Sequence, residues 1–429
     1  MKRFLIFCLL VITVADAMPA QAQQPANAHA SDTDRTRFED LRAAGFEALF
    51  NLDYEKARQS FREIVKIYPN HPAGPQFLAA SLWIESLYET RRLQASLYSS
   101  DSFYAPNEDK ADPKVVDQFR TFTREAKKLA EARLKTDPKD AEALYYLGAT
   151  AGLRASFEEA VERRHFAAMR DGSDAVDRHR DVMKLDPNFH DAEITIGLYD
   201  YVIGSLPLAA KILVGVTGTR GSKKRGLATI ERVVKEGKWA RDDARTLLIV
   251  LYTRERRFGD AATYARELAA KYPRNYLFRL EAADALVSQA AVERKANHAS
   301  AVVTNEREAF ATFEELLHDR NVRDTASRAL DLIHFKYGEA LLTAGQPERA
   351  AKEFLATTSV PKAEPGLVTM AYLSAAHALD VAGKREQALT HYRTVMARPN
   401  VYDSHDLAAK GLKQPFKMEV APVTGDEGN

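Results

Sequence analysis

From Asp32 onward the apolar residues recur with a 3.6-residue period, the pattern of amphipathic helices. The stretch Tyr337–Pro361, YGEALLTAGQPERAAKEFLATTSVP, shows the unit most plainly. Tyr337, Gly338 and Leu341 share one face of a first helix. Ala344-Gly345 makes the turn, glycine being suited to a helix C-terminus, and Pro347 opens a second helix where its missing N–H costs nothing. Ala350 and Phe354, four apart, form the inward stripe of that helix. Small Gly338 and Ala350 let two helices approach closely, and the aromatic ring fills the gap beside them. The result is one helical hairpin.

Looser copies precede and follow it. Arg37–Asn51 is predicted as a first helix and Tyr54–Ile67 as its partner, ending before Pro69. Ala57, Phe61 and Pro69 stand at intervals of 4 and 8, and the same intervals recur in Ala126/Ala130/Pro138, Ala175/His179/Pro187 and Ala261/Ala265/Pro273. Ala309/Phe313, Ala350/Phe354 and Ala388/Tyr392 repeat the first interval, with Pro361 and Pro399 one residue early in the last two. This Ala-x3-Phe-x7-Pro pattern follows a Tyr337-Gly338, Leu147-Gly148 or Ile196-Gly197 pair in several first helices. It resembles the tetratricopeptide (TPR) repeat. Glu55, Glu348 and Glu386 fall in the first turn of the second helices, where the helix dipole favours an anion.

The resemblance implies an all-α, TPR-like superhelical solenoid of about eight hairpins over residues 32–412, each pair leaning only on the next. Departures from the plain repeat concentrate in the N-terminal half. The alanines Ala57, Ala126 and Ala175 lie 69 and 49 residues apart, against about 34 for a regular TPR. Lengthened first helices are predicted at Pro75–Ser99, followed by a loop over Ser100–Pro113, and at Ala141–Arg170, with Gly148 and Gly152 loosening it. Gly226/Ile230 reads as a degenerate copy of the Ala/Phe pair. Asp403–Lys410 reads as a capping helix, and the last residues, within 413–429, as a disordered tail.

The N-terminus changes the cellular setting. Lys2-Arg3, the apolar run Phe4–Val14 and Ala20-Gln21-Ala22 are the three parts of a secretory signal peptide over residues 1–22, followed by a polar linker at 23–31. Its apolar core of 11 residues is shorter than the roughly 20 a membrane span needs. Export, with the periplasm as destination, is the expectation. Cys8 is the chain's one cysteine and lies inside that segment, so a mature chain has no thiol chemistry. In bulk the chain of 429 residues is 45% hydrophobic and 28% charged, ordinary for a soluble protein. Without residues 1–22 its 61 basic and 60 acidic residues fall to 59 and 59, a balance that favours neither nucleic acid nor an anionic membrane.

No pattern of catalysis emerges. Thr217–Gly226, TGTRGSKKRG, lacks the Gly-x4-Gly-Lys-Ser/Thr spacing of a phosphate loop and leaves a candidate anion loop of Arg220, Lys223, Lys224 and Arg225 at a helix start. With the apolar, Pro207-containing Tyr199–Val216 before it, this layout is similar over about 25 residues to eukaryotic TPR proteins of the inclusion-body-clearance family, which implies nothing catalytic. Pro207 and Lys211 interrupt a run already too short to span a membrane, so membrane contact is not expected. Glu162-x-x-His165 and Glu315-x-x-His318 have metal-ligand spacing but lie 153 residues apart, and no metal or cofactor is expected.

The resemblance places helix positions of the concave face at Glu39, Arg42, Phe46, Leu49 and Phe50, at Asp191, Ile194, Leu198, Tyr201 and Val202, and at Met370, Leu373, His377, Asp380 and Val381. From these the candidate groove is Phe46, Leu49, Phe50, Ile194, Leu198, Tyr201, Met370, Leu373 and His377, aliphatic and aromatic. It suits a protein or peptide partner; an apolar small molecule or lipid is the alternative, and burial against inserted helices is the third outcome. The expected protein is a non-enzymatic exported scaffold.

Overall fold

A computed structural model describes residues 32–99, 111–206, 221–318 and 329–418. The segments expected as signal peptide and linker, most of the loop expected over Ser100–Pro113, the apolar run after Leu206 together with Arg220, and the tail beyond Met418 lie outside the described residues. Seventeen α-helices and two short 3-10 turns account for the fold, with no strand among the described residues. In chain order the helices pair as α1 Asp32–Phe50 with α2 Tyr54–Ile67, α3 Ala73–Glu89 with α4 Pro113–Thr136, and α5 Ala141–Ala160 with α6 His165–Leu185. There follow α7 Glu193–Ser205 with α8 Lys223–Glu236, α9 Arg241–Arg254 with α10 Phe258–Lys271, and α11 Tyr276–Lys295 with α12 Ala299–His318. The last pairs are α13 Leu330–Thr343 with α14 Pro347–Ser359 and α15 Pro365–Val381 with α16 Arg385–Met396, closed by α17 Ser404–Lys413. No described helix is long and apolar enough to cross a membrane.

The predicted small-residue positions are where the helices meet. A Cβ added to Gly45, Gly148 or Gly338 would stand 2.2, 2.5 or 2.7 Å from the ring of Phe61, His179 or Phe354. Each ring belongs to the second helix of its own hairpin. The Gly226 copy packs against backbone: a Cβ there would lie 2.5 Å from the Gly197 carbonyl oxygen, so two glycines face each other where α7 crosses α8. Ala350 is fully buried on α14. Ala350→Leu is expected to overpack that crossing and cost about 1–3 kcal/mol, checked by chemical denaturation; unchanged stability would mean the helix has room to move.

Among the described residues, several hairpin turns share one geometry. Gly345 and Gly383 take the left-handed conformation at φ 75, and so, without glycine, do Leu52, Arg91, Arg163, Arg256 and Asn297 at φ 56–62. Behind Gly345 the Gln346 amide donates to the Leu341 carbonyl and the Gly345 amide to Leu342, the paired bonds of a Schellman end. This turn corrects two sequence expectations. The helix expected over Ala141–Arg170 is two helices, α5 and α6, separated at Arg163. The one expected over Pro75–Ser99 stops at Glu89, turns at Arg91 and continues only as a 3-10 turn, Ala95–Ser99.

The chain divides into two compact units, one reaching Ala285 and the other beginning at Leu286, inside α11. Within the first unit the hairpins do not lean only on their neighbours. Phe50 of α1 stacks on Tyr272 after α10, with ring centroids 4.8 Å apart at 14°. Asn275 donates to the Phe50 carbonyl at 2.7 Å, and Arg274 pairs with Asp53 at 3.5 Å. Loop closure costs little extra per added residue, so the distance along the chain adds only modestly to the cost of these contacts. In the second unit the segment after α17 is ordered at least as far as Phe416, where a disordered tail is expected. Its ring stacks on His377 at 4.0 Å and its amide donates to Asp380 at 2.8 Å.

Candidate functional site

Where α1 meets α9 and α10, a cleft of about 640 Å³ opens within the first unit, inside the roughly 300–1,000 Å³ range of ligand sites. Its aromatic walls are Phe46, Phe50, Trp239 and Tyr272; Arg42, Lys238, Arg241, Arg245 and Lys271 line it together with Glu47, Asp242, Asp243 and Glu267. One carboxylate builds the Trp239 wall. Asp191, from the 3-10 turn before α7, accepts from the amides of Lys238, Trp239 and Ala240 at 2.9–3.2 Å and so fixes the turn that leads into α9. Burial pushes the Asp191 carboxyl up, and those three amides oppose it. The Arg42 guanidinium lies over the Trp239 ring, 4.7 Å from its centroid.

Asp242 gathers three donors: Arg245 at 2.9 Å, Lys271 at 2.5 Å and the Tyr272 hydroxyl at 2.5 Å. Arg245 also donates to Glu267 at 3.0 Å. Neighbouring Asp243 is different. It is 2% exposed, its Oδ1 has no hydrogen-bond partner, and burial, aided by Asp242 and Asp191, pushes its carboxyl well above the usual range.

Behind Asp243 lies a second, apolar cavity of about 90 Å³, lined among others by Leu49, Phe50, Ile84, Tyr98, Ile249 and Phe278. It is smaller than the ~150 Å³ void that accepts a benzene, so it does not house a lipid. What narrows it is the segment after α3: Tyr98 is buried and lines the void, and the Ala95 amide donates to Glu281 at 3.0 Å.

Of the candidate groove, Phe46, Leu49 and Phe50 come together here, Phe46 and Phe50 on the cleft and Leu49 and Phe50 on the apolar cavity. Phe46 is also packed edge-on to Phe77 at 4.9 Å. Ile194, Leu198 and Tyr201 are buried in α7 and line neither cavity; the Tyr201 hydroxyl donates to Glu255 at 2.6 Å. Met370, Leu373 and His377 belong to the second unit, where Leu373 is buried and His377 lies under Phe416.

Of the anion loop, Lys223, Lys224 and Arg225 form the first turn of α8. Lys223 pairs with Glu255 at 2.8 Å and Arg225 with Asp200 at 2.5 Å, so two of its cations face carboxylates. Glu162 lies on the α5–α6 turn and pairs with Arg120, while His165 turns to Glu159 at 3.0 Å. Among the described residues no three metal-ligating side chains converge. Trp239, Tyr272 and Asp243 escape a reading of the sequence, because no spacing connects them to α1.

No family model and no curated protein matches the chain. Among solved structures, human IFIT1 as a dimer with m7Gppp-AAAA is 14% identical, covering 88% of this chain and 85% of that one at a TM-score of 0.47. A tetratricopeptide repeat protein from Parabacteroides merdae is 13% identical over 79% of this chain and 99% of that one, TM-score 0.32. Yeast Tom70 is 12% identical over 88% and 87%, TM-score 0.34. At such identities and scores these likenesses carry no argument about a partner. The paired helices, with glycine set against an aromatic ring in hairpin after hairpin, make the chain an all-α helical-repeat protein of TPR-like build.

Proposed function

We propose that the protein is an exported, non-enzymatic scaffold that binds a segment of a protein partner in the cleft between α1 and α9–α10. The observation that carries this reading is the cleft itself: aromatic walls beside a polar rim, the composition of surfaces that recognise peptides. Export, to the periplasm, rests on the Lys2-Arg3, apolar run and Ala-x-Ala order of the first 22 residues. An apolar-carrier role has less to support it, given a void of about 90 Å³.

The test is capture from an envelope extract by purified protein, compared with Trp239→Ala and Phe50→Ala. A partner held in this cleft should be retained at least about tenfold less well by Trp239→Ala, as for a central aromatic anchor. Equal capture by all three proteins, or none by any, would remove the reading.

A further inference from the structure

Almost every charged group facing the cleft is already engaged. Arg245 and Lys271 are held by Asp242, Arg42 donates to Glu39 at 2.9 Å, Arg241 donates to the Gly237 carbonyl, and Lys238 lies over Trp239 at 4.8 Å. Asp243 and Glu47 are the exceptions, and of the two only Asp243 is buried. It sits on the wall between the two cavities, 2% exposed, with an unpartnered Oδ1. A buried oxygen without a donor weakens a fold, and the carboxyl's hydrogen bond with its own backbone amide leaves Oδ1 unsatisfied.

The charged groups around it are Asp242 on its own helix, Asp191 from the turn before α7, Arg42 from α1 and Glu281 from α11, which shares the apolar cavity with it. Three of the four are acidic, so the complement missing from this floor is a cation. Phe50 and the apolar cavity beyond offer a hydrocarbon stem somewhere to lie.

We propose that Asp243 is the recognition group of the cleft, and that the cleft takes the guanidinium or ammonium of a basic side chain in the partner's segment. The inference rests on the scaffold reading and supplies its chemistry. Burial pushes the carboxyl toward its protonated form; as the cation binds, any proton it holds leaves to solvent and the carboxylate accepts the cation's N–H.

The probe is the tripeptide acetyl-Gly-Arg-Gly-amide, compared with its neutral citrulline isostere. Trp239 fluorescence is the readout, since Trp83 is fully buried in α3 and Trp239 lines the cleft. The arginine peptide should saturate the signal, and the isostere should bind at least about tenfold more weakly, the loss of one charge-assisted hydrogen bond. Asp243→Asn should lose the same factor while its thermal midpoint stays level or rises. Wild-type affinity should fall as pH is lowered and the carboxyl regains its proton, and that of Asp243→Asn should stay flat.

Equal binding of the two peptides, full affinity in Asp243→Asn, or a markedly lower midpoint in that variant would each overturn the assignment, the last by giving Asp243 a structural role. If these fail while Trp239→Ala still abolishes capture of the partner, the scaffold reading stands and only the cation is wrong. If Trp239→Ala captures normally, both fall.

Discussion

Between about pH 6.5 and pH 4 the protein is expected to lose roughly 3 kcal/mol of stability through one histidine, and His179→Phe should abolish that loss. His179 stands at the aromatic position of the α6 repeat, 0% exposed, stacked on Tyr145 with ring centroids 5.1 Å apart. Its Nε2–H donates to the Tyr145 carbonyl at 3.1 Å, and its Nδ1 has no partner. Burial holds its pKa down from 6.5 to about 4, against the pull of that carbonyl. The folded state therefore resists a proton that the unfolded chain accepts. Stability is complete above 6.5, falls as pH drops below it, and the loss is full near 4.

Phenylalanine cannot take the proton, and it fills the same slot against Gly148. The Tyr145 carbonyl it would leave lies inside α5, where a helical amide also bonds it. Urea midpoints across this pH range are the measurement. A parallel fall in both proteins would mean that His179 is solvated or protonated in the fold.

His179 also shows what the chain's letters reveal and what they hide. Its interval from Ala175 and Pro187 marked the aromatic slot even though the letter was not aromatic, and Gly226 opposite Gly197 was recognisable as a repeat position for the same reason: spacing survives when residue type does not. The turns were legible where glycine stood, or where the repeat spacing was regular, as at Leu52. Gly345 announces a left-handed helix end; Arg91 and Arg163 adopt the same conformation, yet arginine is an ordinary helix former, so nothing local ended the helices expected there.

The concave positions divided along similar lines. Phe46, Leu49 and Phe50, expected on a concave face, line the two cavities of the first unit. What they face, Trp239 and Tyr272, is set by a contact between residues more than two hundred apart in the chain. Periodicity describes a helix's face and is silent about closure of this kind. Ile194, Leu198 and Tyr201 had the same periodic signature and went into the core, because apolar stripes are read identically whether a neighbour covers them or not.

Glu142→Gln is expected to remove about 2–3 kcal/mol at neutral pH and to flatten a second, more acidic limb of the stability curve. Glu142, in the first turn of α5, accepts from Arg133 of α4 at 2.7 Å and meets the His71 ring, from the turn before α3, at 3.3 Å. Arg133 also grips Asp140, the cap of α5, at 2.8 and 3.0 Å. Three elements from two hairpins thus close on one carboxylate whose side chain is 22% exposed. Burial works against its ionisation, but His71 and Arg133 outweigh burial and hold the pKa at about 2, from 4.5. Here the folded state releases a proton that the unfolded chain would keep, so the contribution is whole above 4.5 and disappears as pH falls toward 2. The gap between wild type and Glu142→Gln should therefore narrow across that interval and close at its foot, whereas the gap to His179→Phe opens at higher pH and is already constant there. A gap that stayed level down to about pH 2 would show that Glu142 acts through packing alone and that its charge stabilises nothing.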